Sequence, residues 1–217
     1  MRKFSFFLVS LFLTVGLFAQ VQQPEDALEL YRKGRSLESE GNITDANRLY
    51  NQALGVLQKE VSANPNNIDS HLVMSWVCFR LKQYEKAVES GLAGLRLNKN
   101  DSRIFEALGE AYFALDKYDT SKYYFEKFVV AQPNADRTPW AYFYLGEIFR
   151  LTQKYNHAEI AYGAALHKQP SVALWWYRLG VSRRDSGDKV GAKQAWQRAL
   201  QINPKYSEVK EALNQLG

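Results

Sequence analysis

Three leucine–glycine pairs, Leu108-Gly109, Leu145-Gly146 and Leu179-Gly180, recur at intervals of 37 and 34 residues. Prolines keep the same beat: Pro133 to Pro170 is 37 residues and Pro170 to Pro204 is 34. So do small residues, with Ala87 to Ser121 and Ala158 to Ala192 both 34 apart. Self-similarity at such a period marks an array of one supersecondary unit rather than a fold with a single centre. One insertion of three residues near Ala135–Thr138 accounts for both longer intervals. Within each unit apolar residues recur at i, i+3, i+4 and i+7, the pattern of an amphipathic helix. A stretch of about 14 residues with a small residue midway leads into a polar turn (81–84, 115–118, 152–155 and 186–189). A second amphipathic stretch then runs to a proline, which ends it. Thr138-Pro139 is expected to be an N-cap followed by proline at the first helical position, and Ser171 a second N-cap.

A 34-residue helix–turn–helix of this kind resembles the tetratricopeptide repeat. Phe105, Leu108, Gly109, Tyr112, Ser121, Phe125 and Pro133 fall on that family's signature positions. Tyr142, Leu145, Gly146, Phe149, Ala158, Tyr162, Ala165 and Pro170 repeat them, as do Trp176, Leu179, Gly180, Ala192, Trp196, Ala199 and Pro204. A looser first unit carries Leu30, Gly34, Leu37, Ala46, Tyr50 and Ala53, with about seven extra residues that predict a long second helix over 43–62. The second unit keeps Met74 and Ala87 but departs elsewhere. The resemblance implies an all-α solenoid of five helical hairpins over 27–65, 68–101, 102–135, 139–172 and 173–206. Ser207 to Leu216, apolar at Val209, Ala212, Leu213 and Leu216, is expected to cap the stack, because an open solenoid end is insoluble.

The N-terminus is different in kind. Arg2 and Lys3 precede an apolar run, Phe4 to Phe18, and Ala19 offers a small residue for cleavage. Residues 1–19 therefore read as a secretory signal peptide, followed by a leader over 20–26. The run is shorter than the ~20 residues a membrane span needs, which favours a cleaved signal over the alternative, an uncleaved inner-membrane anchor. The reading places the chain outside the cytoplasm, in the periplasm. Cleavage lowers the net charge from +5 to +3, since Arg2 and Lys3 go and no acid goes with them. That balance, with no basic block, gives no reason to expect a nucleic-acid partner. The single cysteine, Cys78, excludes an intrachain disulfide framework.

No catalytic motif and no phosphate-cradling glycine loop occurs. His71, His157 and His167 have no metal-ligand spacing, and no cofactor is implied. The resemblance implies instead a concave groove lined by one stripe of each hairpin's first helix. Those stripes are Leu28, Tyr31, Arg35 and Glu38; Leu72, Trp76, Phe79 and Arg80; Arg103, Glu106, Glu110 and Phe113; Trp140, Phe143, Glu147 and Arg150; and Leu174, Tyr177, Val181 and Arg184. Aromatics interleaved with arginines are the material of protein-binding hot spots. The partner-binding candidates are thus Trp76, Phe79, Arg80, Arg103, Phe113, Trp140, Phe143, Arg150, Tyr177 and Arg184. The groove lacks the Lys/Asn set by which some members of that family hold a C-terminal carboxylate. The expected function is a non-catalytic scaffold for a protein or peptide, in cell-envelope assembly or secretion. The second unit offers an alternative. Cys78, Gly91 and Gly94 replace larger residues there, leaving either a slot for a small hydrophobic ligand or a space filled by Phe128.

Overall fold

Each leucine–glycine pair lies in the middle of the first helix of a hairpin. The computed structural model describes residues 26–216, and within them eleven helices follow one another with no strand. They are α1 (Ala27–Ser39), α2 (Ile43–Ala63), α3 (Ile68–Arg80), α4 (Tyr84–Leu97), α5 (Ser102–Ala114), α6 (Tyr118–Ala131), α7 (Thr138–Leu151), α8 (Tyr155–Lys168), α9 (Ala173–Asp185), α10 (Lys189–Ile202) and α11 (Ser207–Leu216). Odd and even helices pair as hairpins, each hairpin packs on the next, and α11 lies on α10. The segment read as signal peptide (1–19) and all of the leader (20–26) except Asp26 fall outside the described residues. None of the described helices is long and apolar enough to cross a membrane.

Small residues set the packing inside each hairpin. A Cβ added to Gly34, Gly109, Gly146 or Gly180 would meet a ring of the second helix, at 2.5 Å from Tyr50, 2.9 Å from Phe125, 2.6 Å from Tyr162 and 2.3 Å from Trp196. In all four cases the ring lies sixteen residues after the glycine. The four rings are at most 1% exposed, so each contributes roughly 2–3 kcal/mol of burial. Their polar atoms are satisfied as burial demands. Tyr50 Oη donates to Glu38 at 2.8 Å, Trp196 Nε1 to the Tyr177 carbonyl at 3.1 Å, and Tyr162 Oη to Glu147.

The second hairpin inverts this arrangement. Ser75 stands where the others have glycine, and Gly91 stands where they have the ring. A Cβ on Gly91 would lie 2.7 Å from Leu108 Cδ2, and one on Gly94 3.0 Å from Ile104 Cδ1. Both fillers come from α5 of the next hairpin. Phe128 instead packs with Phe105, Phe125 and Ala141, so the expected compensation by Phe128 is corrected to Leu108 and Ile104. Cys78 is 1% exposed against Ala87 and Ala111, and burial pushes its thiol pKa up. The slot is a filled part of the core. Ser75 Oγ donates to the Ala87 carbonyl at 2.8 Å, and Ser121 Oγ to Gly109 at the same distance, each tying the two helices of its hairpin.

Each turn within a hairpin places one residue at positive φ: Gly41, Lys82, Asp116, Gln153 and Gly187. Two cap expectations are corrected. Helix α7 already begins at Thr138 and its cap position is Arg137, because Thr138 Oγ1 turns back to donate to the Gln132 carbonyl. Helix α9 is preceded by Val172 rather than Ser171, with no side-chain cap. Between hairpins the connections are four residues long (64–67, 98–101, 169–172 and 203–206), except for 132–137, which has six. With one further residue at the start of α7, that accounts for the three inserted residues.

These contacts fix the expected result of two glycine substitutions. Gly146→Ala overpacks Tyr162 and is expected to lower the unfolding free energy by about 1–3 kcal/mol. A Cβ on Gly55, in the middle of α2, meets nothing within 4 Å, so Gly55→Ala is expected to raise stability by up to about 1 kcal/mol. Urea denaturation followed by circular dichroism measures both; equal shifts in one direction would contradict the ring-on-glycine account.

Candidate functional site

The first helices of neighbouring hairpins touch along one face, α1 to α3, α3 to α5, α5 to α7 and α7 to α9. At the end formed by the first three hairpins this face forms an open cavity of about 380 Å³, lined by Tyr31, Arg35, Trp76, Arg80, Arg103, Glu106, Glu110 and Arg137. The stripe spacing brings seven of these together. The eighth, Arg137, belongs to no stripe. It sits in the inserted connection before α7, and Thr138 anchors that connection as just described.

Arg137 is central to the cavity's electrostatics. Its Nε donates to Glu106 at 2.5 Å and its Nη2 to Glu110 at 2.7 Å, while its guanidinium lies 5.8 Å over the Trp140 ring. Glu110 is 9% exposed, and burial pushes its pKa up, with the neighbouring Glu106 adding to the shift and Arg137 opposing it. Tyr144 lies in the same charge cluster, its ring stacked on Phe125 at 4.9 Å, and burial pushes its phenol up. Arg103 bridges two helices, donating to Asp101 at 2.7 and 3.0 Å and pairing with Asp69 of α3 at 3.0 Å. The hydrogen bond from Arg103 holds the Asp101 carboxyl below the usual range.

Across the cavity, Tyr31 and Trp76 stack at 5.6 Å with 24° between planes, forming an aromatic wall between α1 and α3. Arg35 Nη1 donates to Tyr31 Oη at 3.2 Å. Arg35 and Arg80 both face Glu38, at 3.8 and 3.9 Å.

The sequence-derived candidates separate into three groups. Trp76, Arg80 and Arg103 line the cavity. Phe79, Phe113 and Trp140 are half-buried in the wall: Phe79 packs on Tyr84 at 5.6 Å, Phe113 on Tyr144 at 5.1 Å, and Trp140 edge-on to Trp175 at 5.1 Å. The remaining four belong to the fourth and fifth hairpins and line no part of this cavity. Phe143 is corrected from groove to core: it is 8% exposed and stacked on Trp175 at 5.6 Å, because α9 approaches that edge of α7. Arg150 pairs with Glu147 at 3.2 Å, where Tyr162 and Arg178 also converge. Tyr177 packs on Tyr206 at 5.4 Å and so seats the connection to α11. Arg184 pairs with Asp185 at 2.7 Å beside the Trp196 ring. Of the slot candidates, Cys78, Gly91, Gly94 and Phe128, none reaches this cavity. Arg137 is the residue that stripe reasoning misses; the signal that locates it is the three-residue insertion.

Tetratricopeptide-repeat family models match residues 106–135 and 173–206. The chain carries tetratricopeptide repeats in these two segments. It is 23% identical over 167 residues to the peroxisomal targeting signal receptor of Eremothecium gossypii, a match that takes in 76% of this chain and 28% of that protein. Among solved structures, PilW, a type IV pilus biogenesis factor, superposes with a TM-score of 0.70 at 18% identity, covering 88% of each chain. YrrB, described as having an unusual peptide-binding site, superposes with a TM-score of 0.63 at 18% identity, covering 87% of this chain and 92% of its own. At these identities the likeness establishes the solenoid fold.

Removing Arg137 leaves two carboxylates facing one another in a half-buried site. Arg137→Ala is expected to destabilise by about 1–3 kcal/mol at pH 7, the scale for unpairing a buried charged group, discounted because the guanidinium is 40% exposed. The pH dependence has a definite sign. A carboxyl whose folded pKa is raised costs nothing below its unfolded value of about 4.5, and its cost grows as pH climbs through the folded value. The variant loses the main opposing charge, so Glu110 rises further. Its melting-temperature deficit against the parent is expected to be small at pH 4 and full by pH 7. A deficit independent of pH would show that Arg137 acts by packing alone.

Proposed function

We propose that this chain is a non-catalytic scaffold that holds a protein or peptide in the concave groove of its first three hairpins. The observation that carries the reading is the 380 Å³ cavity, where a stacked Tyr31–Trp76 pair adjoins Arg35, Arg80, Arg103 and Arg137. Aromatic and arginine side chains in a partly desolvated recess concentrate binding free energy, because they offer large contact area and directional donors at once. Two of the groove's arginines are also paired across elements before any partner arrives. Arg103 ties α3 to the start of α5, and Arg137 ties the α7 connection to α5. A preformed surface spends less binding free energy on ordering side chains.

The similar proteins support a binding role by their descriptions, a targeting-signal receptor, a pilus biogenesis factor and a protein with a peptide-binding site. With residues 1–19 read as an export signal, the proposed setting is the periplasm, in envelope assembly or secretion. The small hydrophobic ligand considered as an alternative loses its basis, since Leu108 and Ile104 occupy its slot.

The chain lacking residues 1–19, immobilised and exposed to cell-envelope extract, is expected to capture a discrete partner. A Tyr31→Ala/Trp76→Ala/Arg80→Ala variant is expected to lose that capture, while Ile160→Glu, changing a residue 73% exposed on α8, retains it. Capture unaffected by the triple change in a helical, cooperatively melting variant would reject the groove.

A further inference from the structure

Helix α11 carries more apolar surface than the end of a solenoid needs. Val209 and Ala212 are buried in the cluster that holds Val181 and Trp196. Leu213 and Leu216 are only half-buried. Both keep the repeat register, Leu213 standing 34 residues after Leu179 and Leu216 34 after Ser182. At these two positions the earlier hairpins have Leu108, Leu145 and Leu179, and Ala111, Ile148 and Ser182, all buried. The fourth hairpin shows what closes them in. Leu145 and Ile148 share a cluster with Phe125 and Phe128 of the preceding second helix and with Ala161 of their own. For α11 the preceding second helix is α10, and among the described residues no second helix of its own follows. The side left open is a cavity of about 470 Å³, lined by Leu213 and Leu216 together with Lys189, Val190 and Lys193 of α10. Val190 is 71% exposed. Both lysines are exposed, and neither joins a salt bridge among the described residues.

We propose that this cleft seats an amphipathic helix of a partner protein, acidic along one edge, packed on α10 and α11 where a sixth hairpin would have its second helix. The site lies at the opposite end of the solenoid from the groove and does not depend on the groove reading. Covering Val190, Leu213 and Leu216 supplies the driving force, as when an apolar helix face enters a groove. The charge of the rim sets the preference. Lys189 and Lys193 are four residues apart and so share one edge of α10, and the lining holds no acid. The register also restricts shape. Asn214 stands 34 residues after Gly180, at the position where glycine elsewhere admits a ring. Its side chain occupies that space, so the incoming helix must cross with alanine or glycine, as Gly91 does opposite Ser75.

Fluorescence anisotropy with labelled helical peptides tests this on the chain lacking residues 1–19. The probes are about 18 residues long, enough for a helix to form in isolation, and are N-acetylated and C-amidated with a leucine stripe. The first has a central alanine and glutamates flanking the stripe. The second has lysines in place of those glutamates, and the third has tryptophan in place of the central alanine. The first is expected to bind about tenfold tighter than the second at low salt, a difference that shrinks at high salt. The third is expected to bind several-fold more weakly than the first. Lys189→Glu/Lys193→Glu, a change of two exposed side chains, is expected to reverse the preference between the first two probes. Leu213→Ser/Leu216→Ser is expected to abolish binding of all three while partner capture by the groove persists, with thermal melts establishing that the variant folds.

The proposal is overturned if the parent fails to bind the first probe, if glutamate and lysine probes bind alike, if the charge reversal leaves their order unchanged, or if the tryptophan probe binds as tightly as the first. Sedimentation of the chain alone adds one more such outcome: a dimer that Leu216→Ser dissolves would assign the cleft to a second copy of the chain.

Discussion

The ring that settles on a glycine sixteen residues earlier is the contact on which the solenoid depends. A glycine without a Cβ lets Tyr50, Phe125, Tyr162 or Trp196 lie directly on the backbone of its partner helix. That closeness buries each ring almost completely and fixes how the two helices cross. A single hairpin of this kind still exposes one apolar face, so neighbours must stack to cover it. The second hairpin shows that the requirement is for filled volume rather than for a particular residue. With Gly91 in the ring's place, Leu108 and Ile104 of the following hairpin close the gap, and the contact within the unit becomes a contact between units.

The interior contacts also reach the groove. Tyr50 and Tyr162 are core rings whose hydroxyls emerge between helices and hold Glu38 and Glu147 on the groove face. Burying a tyrosine obliges its hydroxyl to find an acceptor, and the acceptor it finds is a groove carboxylate. Glu38 is thereby tied to the core, while Arg35 and Arg80 face it from the groove at 3.8 and 3.9 Å. The polarity of the cavity thus follows from how the first hairpin satisfies its own interior.

The three-residue insertion does comparable work at the other wall. Lengthening one connection between hairpins brings Arg137 against α5, where it neutralises Glu106 and Glu110. Without that cation, two carboxylates four residues apart on one helix face would repel one another in the recess. The fourth and fifth hairpins have the regular connection between them, and their groove residues fold into the wall. Phe143 is stacked under Trp175, and Tyr177 supports the segment leading to α11.

Amino-acid order alone determined the architecture. Periodic Leu-Gly pairs, small residues and terminal prolines predict an array of helical hairpins, because helix pattern and helix breakers act over a few residues, and the resemblance to the tetratricopeptide repeat extends it to five with a long α2 and a closing α11. The stripe of each first helix, and with it Trp76, Arg80 and Arg103, was legible through the resemblance to the tetratricopeptide repeat, which assigns one such stripe to the concave face. Which stripe residues stay open was not: Phe143 and Tyr31 have the same local pattern, and only the neighbouring hairpin decides that one is core and the other lines a cavity. The role of Arg137 was equally hidden, since an insertion is visible in sequence but the direction in which its side chain falls is not. The space at Gly91 and Gly94 was filled by residues from another unit. Those outcomes depend on contacts between units, where volume and charge must be satisfied in three dimensions, and they belong to the tertiary structure.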